Sequence, residues 1–386
     1  MSDEPGAPDG AATVIEGSID FTGRTGDIVG LVIKNALLNI ITLGFYRFWG
    51  RTNVRRYLWR KTEVFAAPLE YTGTGKELFV GFLLIVVLVF VPYAILNVVL
   101  ESSGLLADAT FAIAYNLLVT LIIFYLIGVA SYRARRYRLT RTRWRSIRLG
   151  QTGSSWRFGF WYLGLNLLMF FLGLITPYKN MKLWQLKTQN THVGDRFLEF
   201  DREGASGKIL LKLYARFMLP CFFAALVIYL PALFFVSEAA AVAIDSTLAI
   251  DELSEQIVGH LFALPDNYGT LITVVWPLAF MIFLACLVWY KLEETRLLVS
   301  LTGFGPLRPA FEARGGSYFG LWLGNMLIQI LTLGFGLPFT QLRYVGWVCK
   351  HTQIDGQLDL SDISQSLDDD LTSGEGLAEA FDMGAV

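Results

Sequence analysis

Three histidines, three cysteines, one glycine-rich run and two arginine clusters are the residues of this chain whose types and spacing could do chemistry. A metal centre needs ligands that converge, and His192, His260 and His351 fall in different segments, so none is expected. Cys221 and Cys286 lie within long apolar runs and Cys349 lies after a third, which reads as packing and not as exported disulfides. The run TGTGKEL at 72–78 approaches a phosphate loop, but that pattern needs Gly where Glu70 stands and Ser or Thr where Glu77 stands. With no set of acid, base and nucleophile, the expectation is a protein that is not an enzyme and takes no cofactor. The remaining chemistry is cationic. Arg51, Arg55, Arg56 and Arg60 form one cluster, and Arg135, Arg136, Arg141 and Arg143 belong to the run RARRYRLTRTRWRSIR at 133–148. Guanidinium groups beside a membrane bind phosphate oxygens, so these eight are expected to contact anionic lipid headgroups. Docking of an acidic cytosolic partner, or of the chain's own acidic tails, is the alternative use; nucleic acid is not expected as a partner.

What must position those arginines is a membrane. The chain has 386 residues, 54% hydrophobic and only 17% charged, with a mean hydropathy of +0.48. A soluble chain carries about 25% charged residues. Uncharged runs at 78–100, 111–130, 217–236 and 271–290 are each long enough to span a bilayer. Asn97 and Asn116, the polar residues of the first two, are expected to bond between helices. Three further apolar stretches, 28–46, 159–176 and 319–337, are interrupted by glycine. Charge decides between seven spans and four. The short segments 101–110 and 237–270 hold no Lys or Arg and eight acids, so with four spans all thirty-two bases fall on one side. Fourteen of the thirty-three acids lie in residues 1–20 and 351–386, which hold no Lys or Arg, leaving nineteen against thirty-two bases between them. The expectation is a multi-pass membrane protein with both termini cytoplasmic.

The interrupted stretches align without gaps as a threefold repeat at offsets of 129 and 161, starting at Gly26, Ser155 and Gly316. Gly30, Gly159 and Gly320 share a column, as do Leu43, Leu172 and Leu333, and Gly44, Gly173 and Gly334. Each copy reads as a helix, a Leu-Gly break and a second, basic helix lying at the interface. The pairs Gly26/Gly30, Ser155/Gly159 and Gly316/Gly320 are expected to let helices approach closely. Short alternating segments at 18–23, 68–73, 197–204 and 357–362 read as small cytoplasmic β-strands. The fold class is thus an all-α polytopic membrane protein with three repeated broken-helix motifs and small strands. Motifs at 18–77, within 131–216 and at 291–362 alternate with span pairs at 78–130 and 217–290; the tails 1–17 and 363–386 read as disordered.

The run NALLNIITLGFYRFWGRTNVRRY at 35–57, followed by YTGTGKELF at 71–79, resembles the YjgN-like family of bacterial inner-membrane proteins, a domain of unknown function. The resemblance covers most of the chain apart from the tails and brings no functional residue with it. The family has Pro-Trp after Thr-Leu-Gly where this chain has Phe48-Trp49, which implies a looser turn in the first copy. Two functions remain: a transport or channel module with three cytoplasm-facing broken helices, or a membrane-organising protein that binds inner-leaflet lipid or a cytosolic partner.

Overall fold

The computed structural model describes residues 14–16, 18–171, 173–204, 207–245, 274 and 276–359. Leu172, His260 and the tail segments 1–13 and 360–386 lie outside the described residues. The chain divides into two compact units, one holding residues up to Gly204 with Arg296–Glu312 and Leu323 onward, the other Ala205–Thr295 with Ala313–Trp322.

In chain order the helices are α1 (Thr25–Ile41), α2 (Arg47–Arg60), α3 (Gly75–Ser102), α4 (Ala109–Thr140), α5 (Ser155–Phe171), α6 (Thr176–Thr188), α7 (Gly207–Asp245), α8 (Trp276–Ser300), α9 (Gly315–Leu331) and α10 (Leu337–His351). Four of them, α3, α4, α7 and α8, are long and apolar enough to cross a membrane. Asn97 and Asn116 bond the carbonyls of Tyr93 and Ala112 on their own helices, each at 2.8 Å, instead of reaching a neighbour. The arginine run at 133–148 is two elements, not one anchor: its first half continues α4 to Thr140, and its second half alternates with period two and forms a hairpin. In the second unit, Arg216 of α7 pairs with Glu293 of α8, and Glu294 accepts from the Tyr290 hydroxyl at 2.6 Å and from Lys291 at 2.7 Å. These groups satisfy one another at the foot of the two apolar helices.

The strands are not isolated hairpins. They are β1 (Val14–Glu16), β2 (Ile19–Phe21), β3 (Thr62–Val64), β4 (Ala67–Tyr71), β5 (Thr142–Trp144), β6 (Ile147–Gln151), β7 (Thr191–Val193), β8 (Arg196–Phe197), β9 (Glu199–Phe200), β10 (Thr302–Gly303), β11 (Arg308–Phe311), β12 (Thr352–Asp355) and β13 (Gln357–Asp359). Strands β2 to β8 form one seven-stranded antiparallel sheet, and β9 pairs with β10, β11 with β12 and β13 with β1. Phe304 bridges to Leu307 between β10 and β11, while β8 runs on into β9 and β12 into β13. The succession of pairings therefore returns to its start. Five equivalent hydrogen bonds tie this ring to helix ends: the amides of Thr22, Thr72, Thr152, Asp201 and Glu312 reach the carbonyls of Lys61, Arg141, Asn190, Leu301 and His351 at 2.8 or 2.9 Å. Each such carbonyl is one that a helix C-terminus leaves without an internal donor.

The turns explain how unpromising sequence makes hairpins. Phe65-Ala66 and Arg145-Ser146 take positive φ at both positions (51° and 56°, 47° and 66°), the geometry whose twist suits a two-residue hairpin. None of the four is Gly or Asn. The apolar core of Phe65, Trp144 and Leu307, taken from three different hairpin regions, offsets that cost. At Gly150, across the ladder from His192, any side chain would run into the imidazole.

The first and third helical hairpins break in the same way. Leu43 and Leu333 (φ 51° and 49°) and Gly44 and Gly334 (φ 92° and 88°) are left-handed, and the Gly44 and Gly334 amides return to Asn39 at 2.8 Å and Gln329 at 3.0 Å. This is a Schellman cap with leucine, not glycine, at its first left-handed position. The Thr42 and Thr332 hydroxyls give to Leu38 and Ile328 (2.7 and 2.6 Å) and accept from the amides of Tyr46 and Gly336 (2.9 and 2.8 Å). The first turn is no looser than the third, although only the third has proline. The middle copy has proline at 177 but Phe171 in the threonine column, and a 3-10 turn at Gly173–Ile175 replaces the cap. The threonine, not the proline, goes with the shape. Thr332→Val keeps the size and removes the acceptor for Gly336, so it is expected to cost about 1–2 kcal/mol and speed amide exchange at Gly336. Unchanged exchange there would show that the hydroxyl is dispensable.

Candidate anion site

Helix α2 packs against α1, α3, β4 and α10 and buries Phe48, Thr52, Val54, Arg55 and Leu58, so it is an enclosed helix and not one laid against the outside. Arg47, Arg51 and Arg55 recur at four-residue spacing and so share one of its faces. Opposite them stands the polar end of α4. A cavity of about 200 Å³ opens between the two, lined by Arg51, Arg55 and Trp59 of α2, Arg135, Arg138 and Leu139 of α4, Thr142 of β5 and Gln341 of α10. Four of its eight lining residues are arginines and none is acidic. Trp59 Nε1 donates to the Thr142 hydroxyl at 2.9 Å and closes one wall. Arg55 is buried, 3.5 Å from the Tyr71 hydroxyl.

Arg135 is held in place by donating to the Lys187 carbonyl at 2.9 Å and the Thr191 hydroxyl at 2.8 Å. It thereby caps the last turn of α6, where a cation also meets the negative end of the helix dipole. The Lys187 ammonium lies over the Phe158 ring at 5.4 Å. Burial, followed by the fields of Arg135 and Arg138, pushes its pKa down to about 8. The nearby carboxylate of Glu77 serves a different group, accepting from the Tyr137 hydroxyl at 2.8 Å and pairing with Arg141 at 3.2 Å. Like charges thus gather around the cavity with no carboxylate in its lining, an arrangement that favours an anion.

A second cavity, about 140 Å³, adjoins the first through the shared residues Arg51 and Gln341. Its walls are Val32, Asn35, Ala36 and Asn39 of α1, Arg47, Gly50, Arg51 and Val54 of α2, and the turn from Gly334 to Pro338. The amide oxygens of Asn35 and Asn39 are buried and accept no hydrogen bond. Each such orphan acceptor costs about 1–3 kcal/mol. The Asn35 amide nitrogen is engaged with the Gly50 carbonyl at 3.3 Å, as that of Asn325 is with Thr340 at 3.5 Å in the third hairpin.

A family profile described as "Bacterial protein of unknown function (DUF898)" matches residues 16–380. The chain belongs to the DUF898 family. One stretch of this DUF898 protein is 32% identical over 77 residues to the "Inner membrane protein YjgN" of Salmonella typhimurium. That stretch covers 20% of this chain and 20% of the relative. No solved structure matches. With four helices apolar enough to span, the DUF898 chain is a bacterial inner-membrane protein of unknown function.

The eight arginines expected at lipid headgroups divide by position in this DUF898 protein. Arg51, Arg55 and Arg135 line the first cavity. Arg56 donates to the Gly73 carbonyl at 2.8 Å, Arg136 to that of Gly153, and Arg141 pairs with Glu77. Arg143 faces Glu70 across the β4–β5 ladder, and Arg60 is exposed at the end of α2. Among the small-residue pairs, only the middle one meets a close neighbour: Gly159 lies against Val129 and Tyr125 of α4, and Ser155 accepts from Arg133 at 3.1 Å. A Cβ at Gly26, Gly30, Gly316 or Gly320 would meet no described atom within 4 Å. Arg138, Lys187 and Gln341 were not singled out by sequence. Gln341 had a signal, because it stands in the column of Arg51 when the first and third copies are aligned.

Proposed function

We propose that this protein is a multi-pass membrane protein, both termini cytoplasmic, that organises the inner leaflet by holding a phosphate-bearing anionic headgroup in the arginine cavity. The observation that carries this reading is four guanidinium groups around one cavity with no carboxylate in its lining. On this reading three copies of one broken-helix unit enter from the cytoplasmic side. The matched caps of the first and third hairpins support the repeat, and the exposed tip leucines Leu43 (89%) and Leu333 (88%) suit apolar surroundings. The protein acts by binding, without catalysis. In full-length protein, vesicles of anionic lipid are expected to raise the melting temperature by several degrees, and zwitterionic lipid is not. Equal shifts with both would count against the headgroup reading. The topology has its own check: Ser103→Cys, between α3 and α4, should react with an impermeant maleimide in intact cells, while Ser146→Cys should not.

The second reading is a transport module, favoured by the second cavity beside a broken helix, as discontinuous helices shape transporter sites. Anion flux from proteoliposomes, lost on mutation at Gly44 or Gly334, would move the balance to it.

A further inference from the structure

The strand ring holds more copies of one unit than the threefold repeat accounts for. Thr62, Thr142, Thr191, Thr302 and Thr352 each stand just after the second helix of a pair, and each hydroxyl donates to the carbonyl four residues before it, at 2.7 to 2.9 Å. The residues immediately before them, Lys61, Arg141, Asn190, Leu301 and His351, are those whose carbonyls tie the ring to the helix ends. Two residues after them stand Val64, Trp144, Val193, Phe304 and Ile354, and all five belong to one apolar cluster. A position that recurs five times and converges in one core is what closure around an axis produces. Thr22, which follows β2, makes the same amide bond as the others, so the N-terminal strand takes the place of the strand that precedes every other helix pair. The second and fourth units are then the same element with helices long enough to span, and the threefold repeat is its first, third and fifth copies.

The arginine cavity draws on equivalent positions of these units. Arg55 and Arg135 each stand seven residues before the threonine of their unit, Arg51 and Gln341 each stand eleven before theirs, and all four line the cavity. They come from the first, second and fifth units, which are neighbours around the ring, so the same helix face of successive units looks into one space. Thr142 lines that space too, and Trp144, two residues further along β5, belongs to the shared apolar cluster, which therefore closes the space on the strand side. We infer that the chain is a fivefold ring in one polypeptide, and that the arginine cavity is an inward-facing cup plugged by apolar side chains from all five units, in which Gln341 is a ligand-contacting position equivalent to Arg51. The inference rests on the anion reading above and adds the geometry of the site. A plugged cup holds its anion and offers it no passage through the ring.

The test exchanges side chains between equivalent positions in full-length protein in detergent, with the affinity for phosphatidic acid read by native mass spectrometry. Arg51→Gln should weaken binding about tenfold, the scale of one charge-assisted hydrogen bond. The exchanged protein, Arg51→Gln with Gln341→Arg, should bind within about twofold of wild type. Arg51→Gln with Gln341→Lys covers the case in which the larger guanidinium disturbs α10, and it should recover part of the loss. Arg60→Gln, at the exposed end of α2, controls for non-specific charge. Exchanged proteins as weak as Arg51→Gln alone would overturn the equivalence and leave the anion reading standing. If Arg51→Gln binds as wild type does, both fall. A second measurement needs no ligand: Val193→Asp and Ile354→Asp, in the third and fifth units, should each lower the melting temperature by about 10 °C, because each puts a carboxylate into the core that all five units share. If either melts like wild type, the hairpins share no plug and the fivefold ring is overturned.

Discussion

Trp144→Ala is expected to destabilise the protein by about 3–5 kcal/mol, the scale for emptying a buried aromatic site. Trp144 is 5% exposed, packs against Phe65 with ring centroids 5.8 Å apart, and donates from Nε1 to the Val64 carbonyl at 2.9 Å. Truncation opens a cavity where Phe65 and Leu307 also converge, and it removes the indole donor from the part-buried Val64 carbonyl. The two losses fall on one core, so the strand ring should loosen as a unit. Melting in detergent followed by near-ultraviolet dichroism would measure the change. Trp156→Ala is the comparison, because Trp156 is half exposed. Equal losses at the two positions would mean that the ring core does not govern stability.

Lys187→Met is expected to stabilise the protein near neutral pH, by on the order of 1–2 kcal/mol once partial exposure and the lost contact with Phe158 are allowed for. The sign follows from the depressed pKa. In the folded chain Lys187 holds its proton less tightly than in the unfolded chain, whose lysine titrates near 10.4. Below pH 8 both states are protonated and the folded state carries the whole penalty of a buried cation beside Arg135 and Arg138. As pH rises from about 8 toward the unfolded value, that penalty is relieved in the wild type. The advantage of Lys187→Met should therefore shrink across this window. Melting temperatures of both proteins between pH 6 and pH 10 decide the matter, and a difference independent of pH would remove Lys187 from the charge cluster. An anion bound at the arginines would weaken the field on Lys187 and raise its pKa, so ligand should narrow the difference at pH 7 as well.

Much of the fold was legible because its signals are local. The four apolar helices follow from run length and absence of charge, which depend on nothing but neighbouring residues. The breaks at Leu43-Gly44 and Leu333-Gly334 were equally legible, since a Schellman cap is a matter of six consecutive residues. The reading of Phe48 as a loosening substitution failed for a non-local reason. Phe48 is 1% exposed and packs against Phe79 and Phe82 of α3, so tertiary contact holds the residue where proline's fixed φ would have done so.

The arginines show where local reading stops. Composition says that a basic cluster seeks anions, but Arg56 and Arg136 donate to backbone carbonyls and Arg141 pairs with Glu77, partners that only the folded chain brings near. Arg138, passed over in sequence, faces Arg55, which lies 83 positions before it, in a cavity shared with Gln341. Residue types and spacing determined that this chain enters a membrane, where its helices break and that its body is cationic, because hydrophobic transfer and left-handed caps act over a few residues. Tertiary structure alone decided that the hairpins close into a ring and that four arginines surround one cavity. Strand partners and like charges at such separations meet only after the intervening chain has folded, and no neighbouring residue records the meeting.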